Sequence, residues 1–192
     1  MNTTAIAAII VAIIAIAILA WLLVREKRRK ALRSRFGPEY DRVVQNIGNR
    51  DNAEAELARR EKRVKKFTIR ELSTEERERY IQAWLRQQSQ FIDEPAKAVS
   101  EADALVTSVM TTRGYPMTDF ETQAADISVD HPRVVGNYRE AHQIARQSES
   151  GQATTEDLRR AMVCYRALFE ELVGKRVVTS RYEEVHKEEV HK

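Results

Sequence analysis

The longest apolar run in the chain is Ala5–Val24, AIAAIIVAIIAIAILAWLLV, twenty residues without a charge, a proline or a glycine. A helix rises about 1.5 Å per residue, so this run covers about 30 Å, the hydrocarbon thickness of a bilayer. The pattern predicts a single transmembrane helix. A cleaved leader would carry bases ahead of a shorter apolar stretch and small residues at a cleavage site. Met1–Thr4 hold no base, and Trp21-Leu22-Leu23-Val24 offers no such site, so the run reads as an uncleaved anchor.

Beyond the anchor the pattern turns to a 3.6-residue period, and strand-like alternation is missing. The anchor helix is predicted to run on through Arg35-Phe36 and stop at Gly37-Pro38, with a short helix from Pro38 to about Ile47-Gly48. Asp51 to Lys66 places its acids first and its bases last, an order that suits the helix dipole. Its apolar positions are few (Leu57, Val64, then Phe67), which predicts a solvated spacer helix or coiled-coil arm. Ser73-Thr74-Glu75-Glu76 has the form of a capping box. It opens a helix whose Tyr80, Ile81, Trp84, Leu85, Phe91 and Ile92 share one face. A helix begun at Pro95 carries Val99, Ala102, Leu105, Val106, Val109 and Met110 and ends at Arg113-Gly114-Tyr115-Pro116. Thr118-Asp119-Phe120-Glu121 resembles a second capping box and predicts a short helix to about Ile127. Asp130-His131-Pro132 predicts the start of the next helix, with Val134, Val135, Tyr138, Ala141, His142 and Ala145 on one side. The last long helix spans Thr155–Val173. The predicted class is therefore all-α: a transmembrane helix with its basic extension (1–36), a short helix and charged spacer (37–72), and a bundle of four or five helices (73–174). The repeated EEVHK at 183–192 cannot bury a core and predicts disorder from 175 onward.

Charge orients the anchor. Between 25 and 36 stand Arg25, Lys27, Arg28, Arg29, Lys30, Arg33 and Arg35 against the single acid Glu26. Bases flank the cytoplasmic end of a membrane helix, which predicts the N-terminus outside and the C-terminal domain in the cytoplasm. The same seven residues could sense anionic lipid headgroups. The net charge of the whole chain is only +3 although 32% of its residues are charged. With the bases gathered beside the apolar run, the chain predicts a lipid partner and no nucleic-acid partner. One cysteine, Cys164, excludes an internal disulfide and suits a reducing compartment. It lies on the apolar stripe of its helix and reads as a buried, inert thiol. Thr4, Ala8 and Ala12, four apart, form a small-residue stripe against which a second copy could pack.

Candidate chemistry gathers around the predicted short helix, where Arg113, Tyr115, Asp126, Asp130 and His131 supply two carboxylates, an imidazole, a phenol and a guanidinium. Such groups can form an acid–base pair or a ligand site. The competing reading is structural: Asp130 as helix cap, His131 at the surface, Asp126 solvated, and His142 a satisfied core histidine. No phosphate-binding loop, dinucleotide fingerprint, Cys-x-x-Cys or His-Glu-x-x-His occurs. The sequence thus points to no cofactor and no metal.

The segments LRSRFGPEYDRVV (32–44), FTIRELSTEERERY (67–80), FIDEP (91–95), RGYP (113–116), DISVDHPRVVGNYREAH (126–142) and EDLRRAMVCYRALFEELV (156–173), behind an N-terminal anchor, resemble a family of bacterial membrane-anchored helical proteins. That family carries no assigned activity, so the resemblance implies a bacterial inner (plasma) membrane location and transfers no residue role. The sequence leads to a single-pass protein with a cytoplasmic helical interaction or scaffold domain, working with a protein partner or a second copy of itself. The alternatives are a site in the 113–116 and 126–131 loops, or lipid sensing by the basic segment.

Overall fold

The computed structural model describes the backbone of residues 3–174 and the side chains of residues 11–174. Among the described residues there are eight α-helices and no strand: α1 (Thr3–Phe36), α2 (Pro38–Ile47), α3 (Arg50–Val64), α4 (Thr74–Gln90), α5 (Pro95–Arg113), α6 (Phe120–Asp130), α7 (Val135–Glu149) and α8 (Thr155–Val173). The all-α class is as the periodicity predicts. The chain divides into two compact units, one up to Arg59 and one from Arg60. The tail predicted to be disordered lies outside the described residues.

In the first unit, α1 continues without a break from its apolar part into its basic part. It ends where Gly37 adopts φ +48, and Pro38 then opens α2. Every residue from Val11 to Val24 is exposed, with Ile13 at 61% and Leu23 at 64%. Among the described residues, no helix is long and apolar enough to cross a membrane. The predicted transmembrane helix is not supported on that basis, because the described apolar side chains cover only Val11–Val24. Ala5–Ile10, the first part of the predicted span, lie outside the residues whose side chains are described.

Helix α3 corrects the expectation of a solvated spacer. Ala53 and Leu57 are fully buried and Val64 nearly so. The spacing of four and then seven keeps these three on one narrow stripe of the helix. Ala53, too small to stand out among the charges, supplies the stripe's first position.

The second unit is built on α4–α8. Helix α5 packs on α4 and α8, and α7 packs on α8. Its core joins Trp84, Val99, Val106, Met110, Tyr138, Tyr165, Leu168 and Phe169. Trp84 stacks on Phe169 at 4.9 Å between ring centres, and Tyr138 meets Tyr165 edge-on at 6.5 Å. Offset aromatic pairs of this kind add about 0.5–1.5 kcal/mol beyond the area they bury.

Several helix ends differ from the predicted ones. The capping box at Ser73 and Glu76 is present as expected. Ile92, expected on the buried face, is 83% exposed, since α4 ends at Gln90 and the following turn leads it outward. The cap of α6 is Asp119, whose carboxylate accepts from the Thr122 N–H at 3.0 Å, in place of Thr118. A charged acceptor one residue on competes better for the free amides. Thr154 and Asp157 form a further capping box on α8. Gly114 closes α5 at φ +99, where a Cβ would collide with the Thr68 carbonyl oxygen. Only glycine suits both conditions.

Candidate functional site

The five residues singled out around the short helix do converge, but in a closed arrangement. Gly114 turns the chain so that Tyr115 points back into the core, where it is 3% exposed. Its hydroxyl donates to Asp130 Oδ2 at 2.8 Å. Asp130 is the last residue of α6, and α7 begins only at Val135, so the predicted helix start at Asp130 is corrected. The reason is long-range: the phenol reaching from the end of α5 claims the carboxylate that would otherwise have capped a new helix. Burial first, and the Asp130 charge second, push the Tyr115 hydroxyl well above its ordinary value. It is a fixed donor at neutral pH, with no tendency to ionise.

His131 is likewise not a surface residue; its side chain is 10% exposed. Nε2 faces Arg113 Nη1 at 3.4 Å, and Nδ1 faces Glu171 Oε1 at 3.5 Å. The same Arg113 Nη1 donates to the Leu172 carbonyl at 3.3 Å, tying the end of α5 to α8. Burial, then the Arg113 cation, lower the His131 pKa, while Glu171 opposes them. A neutral ring protonated on Nδ1 fits both neighbours.

Asp126, expected to be solvated, is 2% exposed. Its Oδ1 accepts from Arg63 Nε at 2.6 Å. Desolvation raises its pKa, against the pull of Arg63. The ion pair spans 63 residues of sequence, and Glu171 stands 40 residues from His131, so neither Arg63, one more base of the charged helix, nor Glu171 is recognisable from the sequence as a neighbour of this cluster. Arg113, Tyr115, Asp130 and His131 thus hold the ends of α5, α6 and α8 together, and Asp126 fastens α6 to Arg63. Each of the five is held by at least one partner inside the fold, which is the chemistry of a clamp.

A second polar group lies between α5 and α7. A cavity of about 190 Å³ there is bordered by Asp103, His142, Ser100 and Arg146. Asp103 Oδ1 accepts from the Tyr165 hydroxyl at 2.8 Å. His142 stacks on Phe120 at 3.7 Å with the rings 8° from parallel. Its Nδ1 lies 3.7 Å from Asp103 Oδ1 and has no hydrogen-bond partner. His142 is therefore not the satisfied core histidine that its place on the apolar stripe predicts. Among the described residues, no group of three or more His, Cys, Asp or Glu could hold a metal ion. Cys164 is buried, and burial with the Glu140 carboxylate pushes its thiol up to about 11. It stays protonated and inert at neutral pH.

The basic segment is partly neutralised by acids of the first unit. Arg25 pairs with Asp51, Arg29 Nε reaches Glu54 at 3.0 Å, Lys30 lies 3.8 Å from Glu26, and Arg33 lies 3.7 Å from Asp41. Arg35 is engaged too. Lys27 and Arg28 are exposed. The field of seven bases read from the sequence is thereby divided into ion pairs and two outward cations.

No family model, no curated protein and no solved structure matches the chain.

Proposed function

We propose that this chain is a single-pass membrane protein whose α1 anchors a helical interaction domain at the cytoplasmic face of the inner membrane. One observation carries the reading: the apolar side chains of Val11–Val24 are exposed around the whole circumference of α1. A helix that is apolar on every side has no stable face toward water and needs an apolar surrounding. In hydrocarbon its backbone groups are satisfied within the helix, so the exposed side chains become the favourable surface. The apolar run continues in sequence back to Ala5, and the bases that follow at 25–35 support the orientation with the domain inside. The interlocked polar residues around Tyr115 and His131 suit a rigid scaffold that presents a helical surface to a protein partner or a second copy. Exposed apolar side chains of the second unit include Ile92 in the turn after α4, Met117 in the loop before α6 and Val163 on α8.

The test is fractionation of the full chain in a bacterial cell with an activity reporter on its C-terminus. The chain should stay in the membrane pellet through an alkaline carbonate wash, and a reporter active only after export should be silent. Extraction by carbonate would overturn the anchor. An active exported reporter would overturn the orientation. A crosslinker applied to the membranes should trap a discrete larger species, and a chain that stays monomeric under it would remove the scaffold role.

A further inference from the structure

Where α1 leaves its apolar stretch, the first unit holds a cavity of about 340 Å³. Its walls include Trp21 and Val24, then Arg25 and Arg28, then Asp51 and Glu54 from α3. Three features of this lining belong together. The apolar wall lies at the α1 end of the cavity, continuous with the exposed run that ends at Val24. The Arg25 guanidinium sits over the Trp21 ring, 5.2 Å from its centre, and pairs with Asp51. Both signs of charge are present in equal number, two guanidinium groups and two carboxylates.

We propose that this cavity seats the headgroup of a phospholipid that carries a phosphate and a primary ammonium. The inference rests on the anchor reading above, which puts Trp21 and Val24 at the hydrocarbon boundary and the charged walls at headgroup depth. The phosphate lies against Arg28, which points outward, and against Arg25, whose planar fork suits a phosphate oxygen pair. The ammonium lies against Asp51, whose side chain is 62% exposed. Glu54, engaged by Arg29 Nε and by the Tyr40 hydroxyl at 2.8 Å, adds its field behind. The glycerol end faces Trp21 and Val24. A zwitterion placed this way interleaves with the Arg25–Asp51 pair and leaves no charge facing its like. A headgroup with phosphate alone meets two carboxylates with nothing to offer them. A quaternary ammonium has no N–H to donate, and a single aromatic wall is a poor cage for it. The volume is of the size that small-ligand sites occupy.

The experiment is reconstitution of the full chain into vesicles containing phosphatidylcholine, phosphatidylethanolamine and phosphatidylglycerol in equal mole fractions. Detergent extraction and mass spectrometry then identify the lipid the chain retains. The ratio of phosphatidylethanolamine to each of the other two lipids should be about three- to tenfold higher on the chain than in the vesicles, the size expected of one or two charge-assisted contacts. Arg28→Gln and Asp51→Asn should each abolish the enrichment, and Lys27→Gln, outside the cavity, should leave it intact. Insertion without enrichment, enrichment of phosphatidylglycerol in its place, or enrichment indifferent to Arg28 and Asp51 overturns the headgroup assignment while the anchor stands. Binding of soluble phosphoethanolamine to the detergent-solubilised chain as tight as that of the lipid overturns it as well. A chain that fails to insert into any of the vesicles sinks the anchor, and this assignment with it.

Discussion

The apolar part of α1 and the inner face of α8 are both made of apolar residues, and the first is exposed where the second is buried. In α8, Leu158, Ala161, Tyr165, Leu168, Phe169 and Leu172 fall on one side of the helix and are buried, while Arg159, Arg166 and Glu156 are exposed. In α1, Ile13, Ile14, Ile16, Ile18, Leu19 and Leu22 keep to no side of the helix and are 48–66% exposed. Hydrophobicity alone does not tell a helix where to go. A one-sided stripe has a direction and finds protein neighbours; a uniform surface has none, and the proposed anchor role gives it an apolar surrounding on every side.

The most severe way to break this contrast is Phe169→Ala. It removes the partner of Trp84 from a site with no exposure and should lower the stability of the second unit by about 3–5 kcal/mol. Denaturant unfolding of the detergent-solubilised chain reads this, and membrane retention should not change. The reciprocal change is Ile16→Arg. A central arginine opposes insertion by about 3 kcal/mol, so an insertion assay should show a large loss, while the near-ultraviolet circular dichroism of the domain stays as it was. If the first substitution releases the chain from the membrane, or the second unfolds the domain, the two regions are not the separate solutions argued for above.

Smaller effects sharpen the boundary between burial and exposure. Arg63→Ala leaves the Asp126 carboxylate buried without its cation. A lost charged hydrogen bond would cost more at a dry site, but Arg63 is 40% exposed, so the expected loss is about 1–2 kcal/mol. Asp126 has a raised native pKa, so the folded chain holds its proton more firmly than the unfolded one. Its contribution to stability therefore declines as pH rises from the unfolded value through the native one. Arg63→Ala should widen that window upward, as seen in unfolding midpoints measured against pH. Glu76 behaves oppositely. Hydrogen bonds from Arg70 and from the Ser73 N–H hold its carboxyl down at about 2. Its contribution is present above the ordinary carboxylate range and disappears as pH falls toward about 2. Ser73→Ala, which removes the other half of the capping box, should destabilise by about 1 kcal/mol. It should also leave Glu76 titrating low, since Arg70 remains in place, which a carboxyl-carbon NMR titration would follow.

What the chain's own order of residues determined is everything whose cause is local. The all-α class, the ends of α1 and α2 at Gly37-Pro38 and Gly48, the Ser73 capping box, the core stripes of α5 and α8, and the inert Cys164 all follow from spacing, turn chemistry and propensity within a few residues. The uniform apolar run of α1 is equally legible, since uniformity needs no knowledge of neighbours. The tertiary structure alone decided what depends on partners far away in the chain. Tyr115 reaches across 15 residues to take Asp130 from its expected cap, and Arg63 reaches across 63 to Asp126. His131 is buried because Arg113 and Glu171 close over it, and His142 lost its expected satisfaction because its nearest carboxylate stops 3.7 Å away. A polar side chain names the bonds it is able to make; which of them it makes is set by helix packing, and no local pattern encodes that distance.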